Sequence, residues 1–156
     1  RGCATARSGG AAWRRGGLLV PVIGTGIDLV DLPGFAEQIR RPGTRAGSAF
    51  TAAERRDARS SLSGSGRRDP DQELASLAAR WGAKEALIKA WSESLWGSPP
   101  VAGEQILHLI EVVRDSWGRP RLRFHGEVAE QLADVTSHVS LSHDGSFATA
   151  MVTLSR

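Results

Sequence analysis

Two carboxylates stand among residues that would otherwise face a core. Read as a helix at about 100° per residue, the run 74–90 puts Leu74, Leu77, Trp81 and Ile88 within about 60° of one another. Glu85 falls at the edge of that stripe. A carboxylate there is costly unless it is paired or bound to a cation. Gly82 clears space one turn before it, and Lys89 follows four residues later. Asp28 repeats the theme in VIGTGIDLV, a strand-like run whose preceding same-face residues are Gly24 and Gly26. That face is expected to be open. Two hard oxygen ligands from a strand and a helix suit Mg²⁺, which takes one or two protein carboxylates and fills its other positions with water and phosphate oxygens. The residues alone leave plainer readings standing. Glu85 and Lys89 fit an i,i+4 surface pair, and Asp28 fits a cap for the next helix. The glycines do not make a dinucleotide fingerprint, because Leu29 stands where the third glycine belongs.

The elements that must position these residues are legible in outline. Residues 18–30 read as an apolar strand. Pro33 opens a short helix to about Arg40, residues 42–50 read as loop, and Thr51 with Glu54 makes a capping box for a second short helix. Residues 60–68 read as a flexible loop. Asp69-Pro70 then starts the main helix, which is expected to end near Ser94 before Gly97, Pro99 and Pro100. Strands are expected at 105–114 and 121–125, a short helix at 127–135, and a closing hairpin of 139–143 and 147–154 turning at Asp144-Gly145. The order predicts an α+β domain with one long helix packed on an antiparallel sheet.

The length of 156 residues suits one domain. Residues 1–17, rich in Gly, Ala and Arg, are expected to be an unstructured extension or expression remnant, with residues 18–156 the domain. No run approaches the ~20 apolar residues of a membrane span, and no signal-peptide core is evident. The lone Cys3 can form no internal disulfide, which fits a reducing cytoplasm. Net charge is +3, yet four arginines lie in the first fifteen residues. The remainder is near neutral, which weakens a nucleic-acid reading drawn from pI.

Four segments in order resemble the holo-acyl-carrier-protein synthases. Gly24-Thr25-Gly26-Ile27-Asp28 resembles that family's G-x-D strand, and Phe50-Thr51-x-x-Glu54 its F-T-x-x-E segment. Arg80-Trp81-Gly82-Ala83-Lys84-Glu85-Ala86-Leu87-Ile88-Lys89-Ala90 resembles its K-E-A-x-x-K-A signature, and Ser140-Leu141-Ser142-His143 its C-terminal S-x-S-H strand end. The resemblance covers residue 20 to the C-terminus. It implies the phosphopantetheinyl transferase fold, a homotrimer with active sites at subunit interfaces, and transfer of phosphopantetheine from coenzyme A to a serine of apo acyl-carrier protein. Adenosine 3',5'-bisphosphate leaves, in service of fatty-acid or polyketide synthesis. It further implies Asp28 and Glu85 as Mg²⁺ ligands, Lys89 near the transferred phosphate, and Arg80, Lys84 and His143 around coenzyme A. Many members of the family carry a basic residue for carrier docking in the first turn of the helix after the Asp strand. Here Leu32-Pro33-Gly34-Phe35 has none, so docking falls to Arg40, Arg41 and Arg45. The serine's proton could pass to Asp28, Glu85 or an ordered water. Two rival readings remain: a nucleic-acid-binding module using Arg55, Arg56, Arg59, Arg67 and Arg68, and a different Mg²⁺-dependent phosphate enzyme such as a hydrolase.

Overall fold

The computed structural model describes residues 20–60, 69–100 and 104–156. The expected N-terminal extension, Cys3 and most of the loop at 60–68 lie outside the described residues. Strand β1 (Val22–Asp31) leads directly into α1 (Leu32–Arg40). A single turn, α2 (Arg45–Ser48), and a short helix, α3 (Ala52–Ser60), follow. The long α4 runs Pro70–Ser94. A 3₁₀ segment (Glu104–Leu109) leads to β2 (Ile110–Arg114), β3 (Pro120–Phe124), α5 (Gly126–Gln131), β4 (Thr136–Asp144) and β5 (Phe147–Ser155).

Local chemistry accounts for the helix starts. The Asp69 side chain accepts hydrogen bonds from Asp71 N and Gln72 N, and Pro70 takes the first helical position. The Thr51 hydroxyl accepts from Glu54 N, and Thr51 N donates to Glu54 Oε2, closing the expected capping box. Asp31 caps α1 by accepting from Gly34 N at 2.8 Å. Gly145, at φ +53°, allows the tight turn between β4 and β5.

The sheet has the order β1-β5-β4, antiparallel throughout, and β2-β3 forms a separate hairpin. Helix α4 crosses the three-stranded sheet and packs chiefly on β1 and β5. Glycine sets how closely. A Cβ on Gly24 would lie 2.1 Å from Ala90 O, and one on Gly26 would lie 2.1 Å from Ala86 O. The glycine face of β1 is therefore not open, as the sequence reading has it; the backbone of α4 fills it. The other face is the exposed one, with Ile27 at 64% and Leu29 at 65%.

The helix also buries more than the single stripe expected. Leu77 is buried, but Leu74, Trp81 and Ile88 are half-buried. The deepest positions are Ala78, Ala83, Lys84, Ala86, Leu87 and Ala90, and the small alanine side chains let other elements approach. Two local expectations give way. Residues 45–48 of the expected loop form a helical turn capped by Thr44, and residues 105–109 are 3₁₀ helix instead of strand.

Candidate active site

The close approach of β1 to α4 decides where Asp28 lands. Going down the shared face, Gly24 meets Ala90, Gly26 meets Ala86, and Val30 meets Gly82. Strand and helix therefore run in opposite senses, and Asp28 lies on that face between the contacts to Ala86 and Gly82. The outcome is a cavity of about 370 Å³ whose lining includes Asp28, Asp31, Gln38, Arg45, Trp81 and Glu85. The two predicted metal ligands are thus brought together. Neither plainer reading survives: Asp31, not Asp28, caps α1, and Lys89 turns from Glu85 to β1.

Each carboxylate faces a cation. Lys89 Nζ donates to Asp28 Oδ1 at 2.8 Å and to Ile27 O at 2.9 Å. Arg45 Nη2 lies 3.5 Å from Glu85 Oε1. Both cations sit on long, half-exposed side chains, so each can leave its carboxylate at little packing cost. The donor set fits Mg²⁺: hard carboxylate oxygens on two walls of a polar cavity with room for water and phosphate. Among the described residues no group of three or more His, Cys, Asp or Glu side chains is arranged to hold a metal. A two-carboxylate magnesium site does not need one.

Lys84 must be reassigned. It is 0% exposed, and its ammonium donates to Ala49 O, to Glu54 Oε2 at 2.9 Å and to Leu107 O at 3.1 Å. A Lys has three donors, and here all are spent inside the protein. Burial pushes its pKa down, and the neighbouring Glu54 carboxylate opposes that shift. Glu54 also accepts from Val112 N, tying α3, α4 and β2 together. Lys84 acts as a core fastener, buried away from both the Asp28 cavity and the His143 cavity.

Arg80 and His143 lie elsewhere, in a second cavity of about 380 Å³ with Gln72, Ser76, Arg114 and Ser142. Asp28 pairs with Ala150 across β1-β5, whereas His143 pairs with Ala148 across β4-β5. They stand on opposite edges of the sheet, and the two cavities share no lining residue. Arg80 is buried and donates to Asp57 and to Ser76 O. Asp57 and Arg114 were not singled out in the sequence, since neither belongs to a local motif.

The docking arginines divide. Arg40 and Arg41 are exposed beside the turn from α1 to α2, whereas Arg45 lines the carboxylate cavity. Of the arginines proposed for nucleic acid, Arg55 donates to Gly47 O and lies over the Phe50 ring, and Arg59 pairs with Glu73. Both are engaged within the chain. Arg67 and Arg68 fall outside the described residues.

Comparison with known proteins identifies the family. The family model for the 4'-phosphopantetheinyl transferase superfamily matches residues 24–152. The holo-[acyl-carrier-protein] synthase of Mycobacterium ulcerans is 53% identical over 133 residues, covering 85% of this chain and 96% of that protein. The solved acyl carrier protein synthase of Mycobacterium tuberculosis superposes with a TM-score of 0.68 at 48% identity, covering 86% of this chain and 97% of that one. A Chronobacterium ammoniagenes ACPS-CoA complex superposes with a TM-score of 0.74 at 43% identity, covering 85% and 96%. The chain belongs to the 4'-phosphopantetheinyl transferase superfamily and, within it, to the holo-[acyl-carrier-protein] synthases.

Proposed function

We propose that this chain transfers the phosphopantetheine arm of coenzyme A to a serine hydroxyl of apo acyl-carrier protein. The observation that carries the reading is the meeting of Asp28 and Glu85 at one open, polar cavity, in a chain of this family. In the reaction the serine oxygen bonds to the phosphorus bearing the arm. The bond from that phosphorus to the bridging diphosphate oxygen breaks, and adenosine 3',5'-bisphosphate leaves. A magnesium ion held by Asp28 and Glu85 would neutralise the charge that gathers on the diphosphate oxygens. Lys89, beside Asp28, adds a compact positive charge at the transferred phosphate. The serine's proton passes to a cavity carboxylate or to water. Arg40 and Arg41 offer an exposed basic surface to an acidic carrier, with Arg45 at the cavity mouth.

Homotrimeric assembly belongs to the same reading. Ile27, Leu29, Phe147 and Met151 are exposed large apolar residues on one face of the three-stranded sheet, and Ile27 pairs with Met151 in register. Such a patch suits an interface. A site built from two copies would also unite the carboxylate cavity with the His143 cavity, which one chain keeps apart. The cytoplasm and fatty-acid synthesis are the natural setting for this reaction. Among the described residues no helix is long and apolar enough to cross a membrane.

The test is mass spectrometry of apo carrier protein incubated with this protein, coenzyme A and Mg²⁺. A gain of one phosphopantetheine is expected, stopped by EDTA and restored by Mg²⁺, with partial rescue by Mn²⁺. An unchanged carrier mass overturns the function. Transfer indifferent to chelation overturns the metal.

A further inference from the structure

Resting on the transferase reading, we propose that the carrier's docking surface runs past α1 and α2 to β3. Arg121 and Arg123 meet an acidic edge of the carrier, and the cavity between α2 and the 3₁₀ segment takes one of its apolar side chains.

The case begins on β3. Leu122 and Phe124 leave one face of the strand and pack on the core, so Arg121 and Arg123 leave the other, about 6.8 Å apart. His125 follows on that same face, because it and Arg123 reach one carboxylate, that of Glu111. Glu111 does little to cancel the row. It is buried, and it accepts from Thr51 Oγ1 at 3.0 Å and meets His125 Nε2 at 3.0 Å, with Arg123 Nη1 further off at 3.6 Å. Arg121 stands opposite Val113, which offers it no charge. Both arginines are exposed.

This row is continuous with the site. Arg45 lines the carboxylate cavity and also a neighbouring cavity of about 380 Å³, whose wall includes Ser48, Ala49, Gln105, Leu107 and His108. On one side, Gly43 and Ser48 are shared with the cavity beside Arg40 and Arg41. On the other, the 3₁₀ wall leads to β3, where Leu109 O accepts from His125 N at 2.9 Å. Exposed cations thus mark both ends of a belt. Its middle is a cavity with an apolar floor of Ala49 and Leu107, and no acid lines it among the described residues. A carrier whose serine enters the carboxylate cavity must cover adjoining ground, and this belt adjoins it with the charge that an acidic protein seeks. Complementary charge steers the encounter and fixes its orientation; an apolar anchor seated in a pocket holds it. The belt also supplies the cations that the first turn of α1, Leu32-Pro33-Gly34-Phe35, does not carry.

The test measures the apparent KM for apo carrier protein and for coenzyme A, with Mg²⁺, over a range of ionic strength. Arg121→Glu should raise the carrier value by about three- to tenfold at low salt and keep the coenzyme A value within about twofold. The difference should shrink as salt rises, because screening acts over about 8–10 Å. Arg121→Lys keeps the charge and should keep both constants, which separates charge from packing. Arg123→Gln should act in the direction of Arg121→Glu by a smaller factor. Ser48→Trp, which fills the cavity, should raise the carrier KM at every salt concentration, and Ser48→Leu should do so by less. An unmoved carrier KM in Arg121→Glu, or in both Ser48 variants, overturns the inference and leaves docking to Arg40 and Arg41. Heparin binding that Arg121→Glu abolishes while the carrier KM stands still also overturns it, in favour of a nucleic-acid surface. A wild-type protein that modifies no carrier overturns the transferase reading instead.

Discussion

Asp28 and Glu85 face a cavity and answer to half-exposed cations, whereas Lys84 and Glu54 face the core and answer to each other. That difference separates chemistry from stability. Asp28→Ala and Glu85→Ala should each abolish carrier modification and leave the circular dichroism spectrum intact, because Lys89 and Arg45 are half-exposed and regain water when their partners go. Near-normal transfer by either variant would remove the metal assignment. Lys84→Met should do the reverse to stability: it strands the Glu54 carboxylate among buried groups, a loss of about 3–5 kcal/mol, read as a lowered urea midpoint. An unchanged midpoint would show that Glu54 finds other partners. The sequence could not tell these two lysines apart. Both stand in K-E-A-x-x-K-A, and what divides them is a partner 30 positions away for Lys84 and 61 positions away for Lys89.

At the scale of elements, β1 and α4 carry the site only because they touch backbone to backbone. Gly26→Ala would place a methyl 2.1 Å from Ala86 O, which neither strand nor helix can yield without moving apart. The expected cost is about 1–3 kcal/mol or more, together with loss of transfer as Asp28 leaves the level of Glu85. Gly82→Ala is the control in the same interface. Its Cβ would meet the Val30 side chain at 3.3 Å, a tight but yielding contact, and alanine favours helix by about 1 kcal/mol over glycine. Its stability should stay within about 1 kcal/mol of wild type. Thermal melts and transfer assays on both variants check this; equal effects would mean the Gly26 contact is not limiting. The caps at Asp69 and Thr51 were legible because a cap is written within four residues. The glycine face was misread because a missing Cβ signifies either empty space or close approach, and only the element opposite decides which. The 3₁₀ segment at 104–109 escaped for a related reason: Ile106, Leu107 and Ile110 are buried apolar residues that suit a strand equally well.

For the molecule as a whole, the informative fact is that two cavities of opposite lining lie apart on one chain. Asp28, Asp31 and Glu85 line one cavity, Arg80, Arg114 and His143 line another, and β5 lies between the strands that carry Asp28 and His143. If copies assemble through the exposed Ile27, Leu29, Phe147 and Met151 face, the acid cavity of one copy can meet the cationic cavity of the next. Complementation tests this directly. One variant carries Asp28→Ala with Glu85→Ala; the other carries His143→Ala. Each alone should be inactive or nearly so. Unfolded together in equal amounts and refolded, they should regain roughly a quarter of the wild-type sites, since random assortment in a closed ring pairs an intact acid cavity with an intact cationic one that often. Mixing the two after separate refolding should recover less, by an amount set by subunit exchange. Light scattering on the same samples should give the mass of a trimer. A monomer with full activity, or co-refolded variants with no recovery above either parent, would place both cavities in the service of a single chain and end the composite-site reading.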